Sequence, residues 1–235
     1  ALGAKRPLFI TGASMAKSAL LGELMDSMRA LGMVPGHWGE VQPEPPVALL
    51  DKGVKFIIDG GYDCIIAFGG GSSMDFAKMA AVMAKDRALN VADVIGSEKV
   101  PAKGLPTIMI PTTAGSGSEV SAVAVFSFEA EHVKKGVSSG HLVADIALVD
   151  PELTLPLPAG ITAASGMDAL VHGVESYLSL GTNALTQDLA LTAIRNIVQN
   201  LEICVKDGSN RAARERQMYG SMLAGMAFSM SGTAG

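Results

Sequence analysis

Gly69-Gly70-Gly71-Ser72-Ser73-Met74-Asp75-Phe76-Ala77-Lys78 follows the apolar run Cys64-Ile65-Ile66-Ala67-Phe68. From Asp75 to Lys85, Phe76, Met79, Ala80 and Met83 recur at helical spacing. A continuous apolar run closed by glycines reads as a strand buried on both faces. The glycines therefore sit where a parallel strand turns into a helix. Bare backbone at that turn, together with the positive N-terminal end of the helix, suits a phosphate group. The alternative is a tight strand-to-helix turn that merely requires positive φ. Neither the G-x-G-x-x-G fingerprint nor a Walker loop is present. A second stretch of similar chemistry, Pro111-Thr112-Thr113-Ala114-Gly115-Ser116-Gly117-Ser118-Glu119, follows the strand-like Thr107-Ile108-Met109-Ile110. Two small, hydroxyl-rich turns at the ends of two strands are what a nucleotide crevice requires.

The chain has 235 residues, enough to bury a sizeable core in one or two domains. Its residues are 49% hydrophobic and 17% charged, which argues against disorder. The formal charge of −5 and the lack of a basic stripe argue against nucleic acid as a partner. No apolar run is long enough for a membrane span, and the first residues do not form a signal peptide. The two cysteines, Cys64 and Cys204, fit reduced, cytoplasmic usage. The 13 methionines read as core filling.

In chain order, Arg6–Thr11 reads as a strand, Met15 to Leu31 as a helix, and Val34 to Val41 as a weak strand. A helix over Pro46 to Asp59 precedes the glycine turn. Asn90 to Lys103 reads as loop, Leu105–Ile110 as a strand, Ala122–Phe128 as an extended segment and Ala144–Val149 as another strand. This alternation predicts an open parallel sheet with helices on both faces. Leu153-Thr154-Leu155-Pro156-Leu157-Pro158 then breaks the pattern. Three helices are expected beyond it, over Thr162–Leu180, Asn183–Lys206 and Asn210–Met230. The expected fold class is thus α/β followed by all-α, with an open-sheet domain over 1–155 and a helical domain over 156–235.

The first of these helices carries Gly166-Met167-Asp168-Ala169-Leu170-Val171-His172-Gly173-Val174-Glu175-Ser176-Tyr177. Asp168 and His172, four positions apart, share one helix face. A carboxylate and an imidazole so placed could grip one divalent metal ion, or simply hydrogen-bond to each other. His37, His132 and His141 read as surface or loop histidines.

Taken together and in this order, the three stretches closely resemble the iron-containing (group III) alcohol dehydrogenase family. Asp150-Pro151-Glu152-Leu153 and Ala224-Gly225-Met226-Ala227-Phe228 extend the similarity. The resemblance implies a Rossmann-like domain followed by a helical one, the dehydroquinate synthase-like architecture, with an active site in the cleft between them. It implies hydride transfer between NAD or NADP and a small alcohol or aldehyde bound to a divalent metal, iron or zinc. Gly70, Gly71, Ser72 and Ser73 would hold the pyrophosphate, and Asp75 would order the loop. Thr112, Thr113 and Ser116 would line the cofactor. Ser121 and Lys134 would serve its nicotinamide half and ribose, with Lys135 a neighbouring alternative to Lys134. Asp168 and His172 match two of four metal ligands, and no other catalytic side chain is implied. Maleylacetate reductases, glycerol dehydrogenases and a non-catalytic nucleotide-binding protein are the rival readings. A homodimer or larger homo-oligomer is expected.

The sequence departs from the family pattern at two places. The family's other two ligands are histidines beyond a glycine-rich segment like Ser231-Gly232-Thr233-Ala234-Gly235, where this chain ends, so the helical domain reads as truncated. Gly12, in Thr11-Gly12-Ala13, stands where many members carry an aspartate that binds the adenosine ribose. Without that carboxylate, NADP is expected to be accepted.

Overall fold

The computed structural model describes residues 2–232. The chain divides into two compact units, one of Ala1–Ile110 with Ala122–Ala147, the other of Pro111–Ser121 with Leu148–Gly235. The second hydroxyl-rich turn therefore groups with the helices, whereas the sequence assigned it to the first domain.

The first unit runs β1 (Pro7–Gly12), α1 (Ala19–Ala30), β2 (Gly36–Val41), α2 (Val47–Asp59), β3 (Cys64–Gly69), α3 (Gly71–Lys85), β4 (Gly96–Ser97), β5 (Thr107–Pro111), β6 (Val123–Phe128), β7 (Val133–Ser138) and β8 (Ile146–Ala147). Five of these form a sheet in the order β2-β1-β3-β5-β8. β1 pairs parallel with both β2 and β3, and β5 pairs parallel with β8. Leu8, Phe9, Ile10 and Ile65 to Phe68 are buried, as apolar runs in a doubly covered sheet must be. α2 buries Leu50, Val54 and Ile57 on one stripe. Trp38 of β2 stacks on Phe76 of α3, with ring centroids 4.8 Å apart.

Four local expectations are corrected. The helix expected from Met15 is interrupted, because Ser18 is extended (φ −71°, ψ 132°) and α1 begins only at Ala19. α3 begins at Gly71 rather than Asp75, so Gly70 and Gly71 belong to the helix start itself, while Gly69 ends β3. The strand expected over Ala144–Val149 contracts to Ile146–Ala147. A second sheet, in the order β4-β7-β6, was not foreseen. The Val133-Lys-Lys-Gly-Val-Ser138 segment has no clean alternation, and only its antiparallel pairing with β6 makes it a strand.

Two side chains from α3 anchor the other edge of β6. Asp75 Oδ2 accepts the Val125 N–H (3.0 Å), and Lys78 Nζ donates to the Val123 carbonyl (2.9 Å). Ser127 N–H donates to the Pro45 carbonyl (3.2 Å). These bonds satisfy backbone groups that an open strand edge would leave exposed.

The second unit packs α4 (Ala159–Leu178), α5 (Ala184–Lys206) and α6 (Arg211–Ser231) against one another. Small buried residues line the contacts, among them Ala169, Gly173, Ala190, Ala193, Ala224 and Ala227. Asn183 and Thr186 form a reciprocal capping box at the start of α5. Arg214, 2% exposed, donates to Thr162 Oγ1 (2.8 Å) and the Gly208 carbonyl (3.0 Å). Among the described residues no helix is long and apolar enough to cross a membrane. Cys64 and Cys204 are both buried and free.

Candidate functional site

In the first unit the glycine turn has an open helix start. Gly70 is the N-cap, and both Ser73 N–H and Met74 N–H donate to its carbonyl (3.0 and 3.2 Å). The amides of Gly71 and Ser72 precede these first donors, where a helix has no acceptor of its own to offer. Among the described residues, Gly69, Gly70 and Gly71 are not in the positive-φ region, so the turn does not need glycine for its backbone angles. Gly12 ends β1 beside this turn. A Cβ there would sit 3.2 Å from the Val41 carbonyl and 4.0 Å from Ser73 Oγ. Bare backbone at the strand end and free amides at the helix start fit a dinucleotide's diphosphate.

Lys134 comes to this turn through a residue the sequence reading passed over. Glu44 follows β2 within Pro43-Glu44-Pro45-Pro46 and holds a left-handed φ of 54°, rare for a non-glycine residue. Its N–H donates to Ser72 Oγ (3.2 Å), and Lys134 Nζ donates to its Oε1 (2.7 Å). Lys135 points elsewhere, to Glu131 (2.7 Å) and over the Phe128 ring (4.8 Å). The neighbouring lysines are thus separated by strand alternation, and Lys134 is the one beside the cradle. An isolated acid between prolines was the only sequence signal for Glu44.

His37 is not a surface histidine. It lies half-buried on β2, and its Nε2 is 2.9 Å from Thr11 Oγ1. Burial holds its pKa below the ordinary imidazole value. His132 and His141 are exposed, as expected.

In the second unit, Thr112 and Ser121 are buried, while Thr113 and Ser116 are half-exposed. Ser116 Oγ accepts the Ser118 N–H (3.3 Å). The glycines of this turn serve packing. A Cβ on Gly115 would meet Ser165 Cβ of α4 at 2.7 Å. Gly117, at φ 60°, would place one 2.5 Å from Gly225 Cα of α6. The turn is thereby seated on two helices by backbone-to-backbone approach.

On α4, His172 Nε2 lies 3.7 Å from Asp168 Oδ1. The carboxylate is about half exposed and the imidazole mostly covered. The Phe228 ring of α6 tilts against His172, centroids 4.8 Å apart. His172 Nδ1 is buried with no hydrogen-bond partner among the described residues. An oxygen and a nitrogen donor on one helix face fit part of a divalent metal's ligand set. Among the described residues no group of three or more His, Cys, Asp or Glu is placed to hold a metal. Thr233, Ala234 and Gly235 lie outside the described residues.

Residues 1–151 match the family model described as iron-containing alcohol dehydrogenase. Residues 162–235 match that of the Fe-containing alcohol dehydrogenase family, C-terminal. A long-chain-alcohol dehydrogenase of Geobacillus thermodenitrificans is 43% identical over 100% of this chain and 59% of its own length. An NAD-dependent methanol dehydrogenase of Bacillus methanolicus is 34% identical over 98% of this chain and 60% of its own. Among solved structures, an alcohol dehydrogenase from Oenococcus oeni superposes with a TM-score of 0.94 at 32% identity, covering 99% of this chain and 61% of that one. A sulfoacetaldehyde reductase from Bifidobacterium kashiwanohense, solved with NAD+, gives 0.91 at 33% identity, covering 98% and 61%. The chain thus spans about 60% of the length of the curated relatives it matches.

Proposed function

The chain belongs to the iron-containing alcohol dehydrogenase family, and from that premise we propose that it serves NAD(P)-linked hydride transfer between a small alcohol and its aldehyde at a divalent metal. The observation that carries the reading is the Asp168–His172 pair, one helical turn apart on a half-open face of α4. When bound, such an ion supplies Lewis acidity toward an alcohol or carbonyl oxygen, and the nicotinamide supplies the hydride chemistry. Asp168 would give an oxygen ligand and His172 a nitrogen. The amides at the start of α3 would take the diphosphate, and Lys134 would place positive charge beside it. Glu44 holds that lysine in place. Its bond to an exposed partner is weak enough to exchange for a ligand anion.

No carboxylate side chain occupies position 12, so we propose that NADP is accepted alongside NAD. The two buried free thiols fit a reducing, cytoplasmic setting.

The test uses the natural polypeptide that carries this sequence. EDTA should abolish alcohol oxidation, and iron or zinc should restore it. Turnover unaffected by chelation would sink the metal reading. In parallel, NADPH should support at least comparable kcat/KM to NADH. Gly12→Asp should lower the NADPH value roughly tenfold relative to NADH by placing like charges together. A strong NAD preference in the parent protein would overturn the NADP assignment.

A further inference from the structure

The C-terminal turns of α4 and α6 are joined by a small set of buried hydroxyls. Ser176 Oγ lies 2.7 Å from Ser231 Oγ, and both residues are buried. Ser231 Oγ is also placed to bond the Ala227 carbonyl (3.0 Å) and the Gly232 carbonyl (2.9 Å). Ser179 Oγ donates to the Ser231 carbonyl (2.7 Å) and accepts the Gly181 N–H (3.2 Å). Gly181 itself has no room for a side chain against the Ser231 carbonyl. Ser176 stands one turn after His172 on α4, and Ser231 stands three residues after Phe228 on α6. The hydroxyl pair and the ring pair are therefore successive rungs between the same two helices.

We infer that Ser176 and Ser231 are positioning residues for His172. By fixing α6 against α4 at one rung, they fix the Phe228 ring against the imidazole at the next. The ring covers the imidazole face, and Nε2 is left turned toward Asp168 (3.7 Å). Two facts support a directed role over simple packing. The pair is a buried hydroxyl-to-hydroxyl bond between the two helices, and such a bond has one geometry where an apolar contact has many. His172 Nδ1 has no hydrogen-bond partner among the described residues, so no bond at that atom sets the imidazole's rotation, and the Phe228 ring contact bears on it directly. The inference rests on the reading of His172 as a metal ligand.

In a histidine-labelled NMR spectrum of the natural polypeptide that carries this sequence, His172→Gln assigns the His172 ring signals. Phe228→Leu sets the direction of shift when the ring current is lost. Ser176→Ala, Ser231→Ala and the double alanine variant should each move the His172 signals in that direction. Each should weaken Zn2+ binding, followed by the same signals, about tenfold, as loss of an orienting partner does. The double variant removes both hydroxyls and leaves neither orphaned, which guards against loss of folding. Thr162→Ala breaks an Arg214 bond between the same helices. It should lower the Tm while leaving the His172 signals in place. Serine variants that melt lower with unmoved His172 signals would overturn the positioning role, as would equal movement in Thr162→Ala. Zinc that leaves His172 unmoved in the parent would overturn its reading as a ligand, while the metal-free shifts still decide the positioning role.

Discussion

His37 shows how one contact changes a residue's meaning. Its imidazole is half-buried on β2 and bonded to Thr11, at the end of the strand that carries Gly12. Burial lowers its pKa in the folded chain. The unfolded chain therefore takes up a proton more readily as pH falls below the ordinary value near 6.5. The stabilising contribution is complete above that value and is lost as pH drops toward the folded pKa. Urea unfolding at several pH values between neutral and mildly acidic should show parent stability falling more steeply than that of His37→Gln. Parallel profiles would remove His37 as the cause. No pattern in the sequence indicated this placement, since a histidine beside glycine and tryptophan in a broken strand pattern reads as surface. The placement of Gly70 and Gly71 at a strand-to-helix turn, and of Asp168 and His172 on one helix face, depends on chain neighbours and was legible. Glu44, whose role depends on partners 28 and 90 positions away, was not.

Between elements, the most informative relation is that of α3 to β6. Asp75 and Lys78 lie one helical turn apart and bond two alternate backbone groups of one strand edge, Val125 N–H and the Val123 carbonyl. The geometry explains why β6 and β7 form a stable pair despite the poor β pattern of β7. Asp75→Ala should leave the Val125 amide without this acceptor and destabilise the first unit by about 0.5–1.5 kcal/mol. Hydrogen exchange should speed up along β6 and β7, with α4 to α6 unaffected. Unchanged exchange at Val125 would show that the carboxylate does not hold the strand. The sequence resolved β1, β3, α2 and the three late helices because burial imposes a continuous or periodic apolar pattern on each. It missed the second sheet because side chains of a helix supply part of that sheet's edge, a contact with no periodicity of its own. Ser18 and the two-residue β8 were lost for a similar reason: local backbone and pairing set their bounds.

At the scale of the whole molecule, the chain leaves its first unit after Ile110, contributes Pro111–Ser121 to the second, and returns at Ala122. A fragment of residues 148–235 would lack the turn that seats Gly115 on Ser165 and Gly117 on Gly225. It should melt below the same fragment with residues 111–121 joined to it, at roughly 4–8 °C per kcal/mol of lost packing. Equal midpoints in calorimetry would show that the turn adds nothing to the helices. That seating also bears on what selection can see. Gly115 and Gly117 belong to a stretch that reads as a cofactor signature, and so do Asp75 and Lys78 in the glycine turn's own stretch. Yet each has a partner within its own unit that it must fit whether or not a nucleotide is ever bound. A descendant that had lost its chemistry, but still needed to fold, would keep these four positions. Loss of function would first appear where the residue has least to fit, at half-exposed Asp168.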